Sequence, residues 1–546
     1  MTGSATSLRA HLDHEPRLLG FGTSGRRGEI LHLTQLEIYV NVLGELEYLQ
    51  QLSPSQGGIA AGDEFYFAYD LRPSSTAFVA GDPVRGEICQ AVETAIRDAG
   101  MKPVNLGAIP TPALTYYGLT HGKGSIMVTG SHIPFNRNGY KLNTSAGELL
   151  KEQEAPISES VERVRARTYA EAFAWSKFDQ SGLLKSGHRD VPIAAGDARE
   201  AYIQRYTNFF QDCSLKGFKT LVYQHSAVGR DLLVDLLHRF DAEVVPVGRS
   251  ENFVPIDTEN ISAERIAGIQ ALVDGAAGEY FPVSAVLSTD GDSDRPLLLA
   301  VEAGKVRFFP GDLLGMVTAE YLAADAVVVP ISCNDAIDRG ALAAAVEPKT
   351  RIGSPYVISG MARARAKGRQ RVCGWEANGG FLVGSDIERN SRVLKALATR
   401  DAVLPILCAL FAARDAGCSL PELFARLPRR FSRSALLADF PQTTGRRMVQ
   451  RFSPGPDAQD TDAIRTALQR FMPADLALGE IVGLDYTDGV RMTFDAGDVL
   501  HFRPSGNADE LRVYAVSDTE ERAALLASRS VAEPDGILRS IAREVG

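Results

Sequence analysis

Short apolar runs that stop abruptly at polar, glycine-containing loops recur along the chain. Between them, apolar residues fall at helical spacing. The clearest case is residues 124–141, where the run 126–128 breaks at Thr129-Gly130 and then presents Ser131 and His132. That profile predicts a buried strand ending at a sheet edge, with a hydroxyl displayed from a tight loop. The same form appears at residues 65–69, which end in Asp70-Leu-Arg-Pro-Ser-Ser75, and at 220–223 and 326–330. Helices are expected at 34–50, 87–99 and 335–345, and at 228–240, where Leu233, Leu236, Leu237 and Phe240 share one face.

This strand–loop–helix–strand unit occurs three times, which predicts three consecutive α/β sandwich domains with mixed sheets rather than one large sheet. Past residue 430 the pattern changes. A polar segment at 442–462 precedes a helix carrying Ile464, Leu468 and Phe471, then short strands at 490–494, 499–502 and 511–516. Asp495-Ala-Gly-Asp498 has hairpin-turn chemistry. The expected close is a smaller α+β C-terminal domain. The boundaries follow as 1–185, 186–303, 304–428 and 429–546.

Composition narrows the function. With 546 residues, 45% hydrophobic and 23% charged, the chain has ordinary globular values. A net charge of −10 with no Lys/Arg run longer than two residues argues against a nucleic-acid or anionic-membrane surface. Six scattered cysteines without a C-x-x-C pair fit reduced thiols. No apolar stretch reaches the ~20 residues of a membrane helix, and residues 1–20 carry no signal-peptide core. A soluble cytoplasmic protein is expected. An anionic substrate would then need local Arg, Lys or metal charge.

Four stretches could supply chemistry. Open α/β sheets bind ligands beyond strand carboxyl ends, so Ser131 is a possible nucleophile, or else a turn-capping hydroxyl. In Asp290-Gly-Asp-Ser-Asp294-Arg295, alternate carboxylates after an apolar strand can converge on one hard cation. An EF-hand is excluded, because Arg295 and Val301 stand where Gly and Glu are required. Mg²⁺ with few protein ligands fits best, against a solvated acidic turn. Glu376 and Asn378 alternate in a Gly-rich segment; on an extended strand both would face one side and could hold adjacent sugar hydroxyls. Arg503, Ser505, the loop N–H groups and Arg512 could surround a phosphate, or the loop could merely join two strands. The Gly-rich opening 19–28 is a further, weaker phosphate cradle.

Together these stretches resemble the α-D-phosphohexomutase superfamily, the phosphomannomutases and phosphoglucomutases. The resemblance is carried by Gly22-Thr-Ser-Gly25…Arg27-Gly28, Thr129-x-Ser-His-x-Pro134 with Asn138-Gly-x-Lys141, Asp290-Gly-Asp-x-Asp-Arg295, Gly374-x-Glu-x-x-Gly379 and Arg503-Pro-Ser-Gly506. It implies that Ser131 carries the phosphoryl group and, with Asp290, Asp292 and Asp294, holds Mg²⁺. Lys141, Arg27 and His132 would be electrostatic and acid–base helpers. Glu376 and Asn378 would bind sugar hydroxyls, with Arg295, Arg503, Ser505, Gly506, Asn507 and Arg512 completing the substrate set. The implied reaction moves a phosphoryl group between the 1- and 6-positions of a hexose, mannose in the closest versions and glucose as the alternative. A hexose 1,6-bisphosphate would serve as intermediate and activator. The expected partner is a small phosphosugar, and the protein is expected to be a monomer or homodimer. Gly130, Ile133, Asn378, Gly380 and Asn507 depart from the usual family residues. A phosphatase or a silent sugar-phosphate sensor are the competing classes.

Overall fold

The computed structural model describes residues 6–22, 25–77, 87–276, 282–453, 461–504 and 509–545. Four main sheets follow one another along the chain. The first runs in the order 26–29, 137–144, 125–128, 64–69, 102–108, with a two-residue strand at 147–148 on strand 137–144. Its strands Glu64–Tyr69, Lys102–Ala108 and Ser125–Val128 are parallel, and the short interior strand Ser125–Val128 is buried throughout. A strand with covered faces reads as an apolar run, which is why the sequence shows it clearly.

The second sheet pairs Lys219–His225 in parallel with Glu243–Arg249 and Ala285–Thr289, then adds antiparallel Pro296–Glu302 and Lys305–Phe309. Ala303 and Gly304, expected to divide two domains, instead form the turn of this last hairpin; both have positive φ. The third sheet orders Ala326–Val328, Val372–Trp375, Phe381–Val383 and Leu397–Asp401. The fourth is five antiparallel strands between Phe431 and Ser517, covered by helices including Gln442–Arg451 and Glu520–Val531. The fold is therefore the expected one, three mixed α/β units followed by a smaller α+β unit.

Most helices lie close to their sequence positions. Gln35–Leu49 starts where the Thr34 side chain accepts from Glu37 N, and Ile88–Asp98 and Arg230–Arg239 match to within two residues. Two expectations fail. Residues 335–345 form only two 3₁₀ turns, because Asn334 caps the first and Asp335 is held by Arg430 across the domain. The polar segment after 442 contains the helix Gln442–Arg451, which buries Met448 on an otherwise polar surface. The apolar stretch near 402–413 is the buried helix Val403–Asp415, packed into the largest core. Among the described residues no helix is long and apolar enough to cross a membrane.

Candidate active site

Three sheets deliver their key residue at the same place, just past the carboxyl end of a parallel strand. Ser125–Val128 leads to Ser131, Ala285–Thr289 to Asp290, and Val372–Trp375 to Glu376. Ser131 is fully buried and has φ +53, a left-handed conformation uncommon for a side chain other than glycine. Its surroundings hold it there. Ser131 N donates to Thr129 Oγ1 (2.7 Å), and Thr129 Oγ1 donates to Asp70 Oδ2 (2.8 Å). Arg72 donates to the carbonyls of Ser131, Ile133, Pro134 and Arg137 at 2.5–3.0 Å. Gly130 makes room for this arginine: a Cβ there would lie 2.6 Å from Arg72 Nε.

The Ser131 hydroxyl donates to Asp290 Oδ2 (2.7 Å) and lies 3.4 Å from His132 Nδ1. Asp290, Asp292 and Asp294 are all buried, with ligand atoms within 4.8 Å of one another. Asp290 has both oxygens engaged by the protein, whereas Asp292 and Asp294 have one each. Asp290 Oδ1 accepts from the Asp294 and Arg295 amides (3.1 and 3.2 Å). Asp292 Oδ2 accepts from Lys141 (2.6 Å) and Thr111 (2.5 Å), and Asp294 Oδ2 from Lys141 (2.6 Å) and Arg400. Asp292 Oδ1 and Asp294 Oδ1 are buried without a hydrogen-bond partner. Buried oxygens left unpaired beside a third carboxylate suit a small hard cation, so the residues fit Mg²⁺.

Charge in this cluster is close to balanced. Burial, reinforced by Asp292 and Asp294, pushes the Asp290 carboxyl well above its usual range. Burial also opposes ionisation of Asp294, but Arg400, Lys141 and Arg295 outweigh it and hold that carboxyl far below. Burial and the charges of Arg295, Arg27 and Arg512 press His132 well below its ordinary value, so the imidazole is neutral near pH 7. Arg27 is pushed down to about 10 by burial and by Arg295. It sits on the edge strand Arg26–Glu29 that follows the Gly-rich opening; Thr23 and Ser24 of that opening lie outside the described residues.

Glu376 and Asn378 are not on an extended segment. Gly379 N donates to Glu376 O (2.9 Å), closing a turn, and Asn378 Oδ1 accepts from Gly380 N (3.0 Å). The turn brings Glu376 back onto Arg400 (2.9 Å). In the fourth sheet Arg503 and Arg512 face each other directly across neighbouring strands. Like charges so placed are unfavourable unless an anion joins them. Asp488 Oδ2 accepts from Arg503 Nε (2.9 Å) and also from Ile352 N of the third unit (3.0 Å). Ser505, Gly506 and Asn507 lie outside the described residues.

Four residues at the site carry no motif signal of their own: Arg72, Thr111, Arg400 and Glu259. Thr258 Oγ1 donates to Asn378 O (3.0 Å), which docks the segment bearing Glu259 against the turn after the third-sheet strand. Burial and Asp257 push the Glu259 carboxyl up to about 7, against the pull of Arg512 and Arg295. Arg72 lies inside the polar run 70–75 that ends a strand, so that run was the one available signal.

A hydroxyl at a carboxylate triad, faced by arginines from four successive sheets, defines a site for phosphoryl transfer. Residues 18–168 match the phosphoglucomutase/phosphomannomutase α/β/α domain I family model, and residues 310–431 match domain III. The chain is 38% identical to a phosphomannomutase of Sinorhizobium fredii over 94% of its own length and 98% of that protein. It is 38% identical to a phosphomannomutase of Salmonella muenchen over 92% and 93%. A phosphoglucomutase/phosphomannomutase family structure from Burkholderia thailandensis superposes with a TM-score of 0.64 at 17% identity, covering 96% of this chain and 97% of that one. The chain belongs to the phosphoglucomutase/phosphomannomutase family.

Proposed function

We infer that this protein is a phosphohexomutase interconverting mannose 1-phosphate and mannose 6-phosphate through a phosphoserine and a hexose 1,6-bisphosphate. The observation that carries the reading is the Ser131 hydroxyl, 2.7 Å from Asp290 and buried against the triad. The mannose assignment draws on the two 38% identical relatives. Phosphoglucomutase activity on glucose phosphates is the alternative.

Ser131 carries the phosphoryl group and gives it to the free hydroxyl of the bound hexose phosphate. The hydroxyl proton passes to a neighbouring base; neutral His132, with Nδ1 3.4 Å from Ser131 Oγ, is the candidate. The bisphosphate then presents its other phosphate, which returns a phosphoryl group to Ser131, and the base gives its proton to the sugar hydroxyl that is freed. Asp290, Asp292 and Asp294 would hold Mg²⁺, which supplies charge neutralisation to the transferring oxygens. Lys141 and Arg400 keep Asp292 and Asp294 ionised and aimed, and Arg27 and Arg295 add positive charge where negative charge accumulates. Glu376, with the Asn378 turn, binds sugar hydroxyls. Arg503, Arg512 and the loop 505–507 hold the phosphate that does not react. Hexose 1,6-bisphosphate would activate enzyme whose serine is bare.

We propose four domains, with the second division placed after Phe309 so that the hairpin at residues 303–304 stays whole. A cavity of about 850 Å³ lies between the second, third and fourth domains, beside the linker at residues 427–431. Closure of the fourth domain on the substrate's phosphate would exclude water, which would otherwise accept the phosphoryl group. The test is a side-by-side assay of mannose 1-phosphate and glucose 1-phosphate with Mg²⁺ and catalytic bisphosphate. Turnover with a clear mannose preference is expected. Equal rates would overturn the mannose assignment, and release of inorganic phosphate alone would make the protein a phosphatase.

A further inference from the structure

The metal loop and the sugar-binding turn lie on different sheets, yet one side chain joins them. Arg400, at the end of the strand Leu397–Asp401, is 3% exposed. Its Nε and Nη2 donate to Asp294 Oδ2 (3.0 and 2.9 Å), and its Nη1 donates to Glu376 Oε2 (2.9 Å). The stem runs directly over Gly380. A Cβ on that glycine would lie 2.5, 2.7 and 2.8 Å from Arg400 Cδ, Cγ and Cβ. These are the atoms nearest the backbone, not a mobile tip, so no side chain at 380 is compatible with this arginine.

We propose that Arg400, admitted by Gly380, is a positioning residue that couples cation binding at the aspartate triad to sugar binding at Glu376. The guanidinium is a rigid planar fork. By fixing Asp294 Oδ2 it leaves Oδ1, which accepts no hydrogen bond and has only Arg295 Nε at 3.6 Å, for the cation, and by fixing Glu376 Oε2 it leaves Oε1 for a sugar hydroxyl. A cation on Asp294 draws that carboxylate's charge away from Arg400, which then serves Glu376 and the anionic substrate more fully. Each ligand therefore favours the other, and the factor is the same in both directions. The inference rests on the phosphosugar reading above.

Titration calorimetry on the full chain, freed of phosphoserine, tests the coupling. Mg²⁺ is titrated with and without mannose 6-phosphate, and the sugar phosphate with and without Mg²⁺. Wild type should bind each ligand about fivefold or more tightly in the presence of the other. Arg400→Lys keeps the charge but loses the fork. It should weaken Mg²⁺ by roughly tenfold or more and bring the coupling factor below about twofold. Gly380→Ala should do the same by displacing the arginine, but add less than about twofold once Arg400→Ala is present. A wild-type factor near one, variants that retain the wild-type factor, or a Gly380→Ala effect independent of Arg400 would overturn the proposal. Melting temperatures establish that each variant is folded; if Arg400→Lys is not, the two Gly380→Ala backgrounds decide. Wild-type turnover of mannose 1-phosphate reports on the functional reading separately.

Discussion

The two ends of the active site handle charge differently. Around Ser131, carboxylates and cations are already paired: Lys141 with Asp292 and Asp294, Arg400 with Asp294 and Glu376. In the fourth domain, Arg503 and Arg512 stand opposite each other on adjacent strands, near Asp488 and a Glu259 that burial holds partly protonated. The first region is preorganised, so little must move when the phosphoryl group transfers. The second is short of negative charge, which under the proposed function the substrate's own phosphate would supply. On that reading, chemistry is assembled in advance at one end, and affinity is completed by the ligand at the other.

The comparison can be broken most severely at the serine. Ser131→Ala should cut turnover by about 10⁴-fold or more while sugar-phosphate binding stays near wild type, measured by a coupled assay and by calorimetry. Intact mass should show no phosphoryl increment after incubation with bisphosphate. Next, Asp292→Asn removes a proposed ligand oxygen and a partner of Lys141. It should lower kcat by roughly 10²–10³-fold and weaken Mg²⁺ binding, with KM changed far less. At the other end the split should reverse. Arg512→Ala should raise KM by roughly 10–100-fold, the equivalent of one charge-assisted contact, with kcat within about threefold. If Arg512→Ala instead lowered kcat with KM intact, the division between the two ends would fail.

The smallest effect concerns pH. The Glu259 carboxyl is near 7 in the folded protein against an ordinary 4.5, so the folded state binds this proton more tightly than the unfolded chain. That contribution to stability is present at low pH and is lost as pH rises from about 4.5 through 7. Glu259→Gln lacks it. The melting temperature of the variant minus that of wild type should therefore increase between pH 5 and pH 8, by on the order of 1–3 °C. A flat or falling difference would remove Glu259 from the unbalanced end.

Much of the site was legible because strand ends announce themselves. An apolar run must stop where its sheet stops, and the residues just beyond, Ser131, Asp290 and Glu376, stand in register with a recurring pattern. The helix expected at 34–50 forms at Gln35–Leu49, capped by Thr34 and buried on nearly all sides. What stayed hidden depends on tertiary contact. Arg72 and Arg400 look like ordinary surface arginines until the fold buries them over Gly130 and Gly380. The spacing of Glu376 and Asn378 suggested a strand, but a positive φ at Gly379 folds the segment into a turn. The 335–345 segment has helical spacing, yet Asp335 is committed to Arg430 and the helix is broken at its first turn. At Ala303-Gly304 a hairpin turn and a domain boundary have the same composition.

The distance in sequence between paired groups also has a consequence for synthesis. Ser131 and Asp290 are 159 residues apart, Lys141 and Asp294 are 153, and Arg400 trails Asp294 by a further 106. At ribosomal speeds of about 5–20 residues per second, the serine waits roughly 10–30 s for its first carboxylate partner and longer for the arginine. A nascent chain thus carries Ser131 with Arg27, His132 and Lys141 before any of the three aspartates exists. Under the proposed function, chains that end before the fourth domain would lack both the Arg503 and Arg512 pair and turnover.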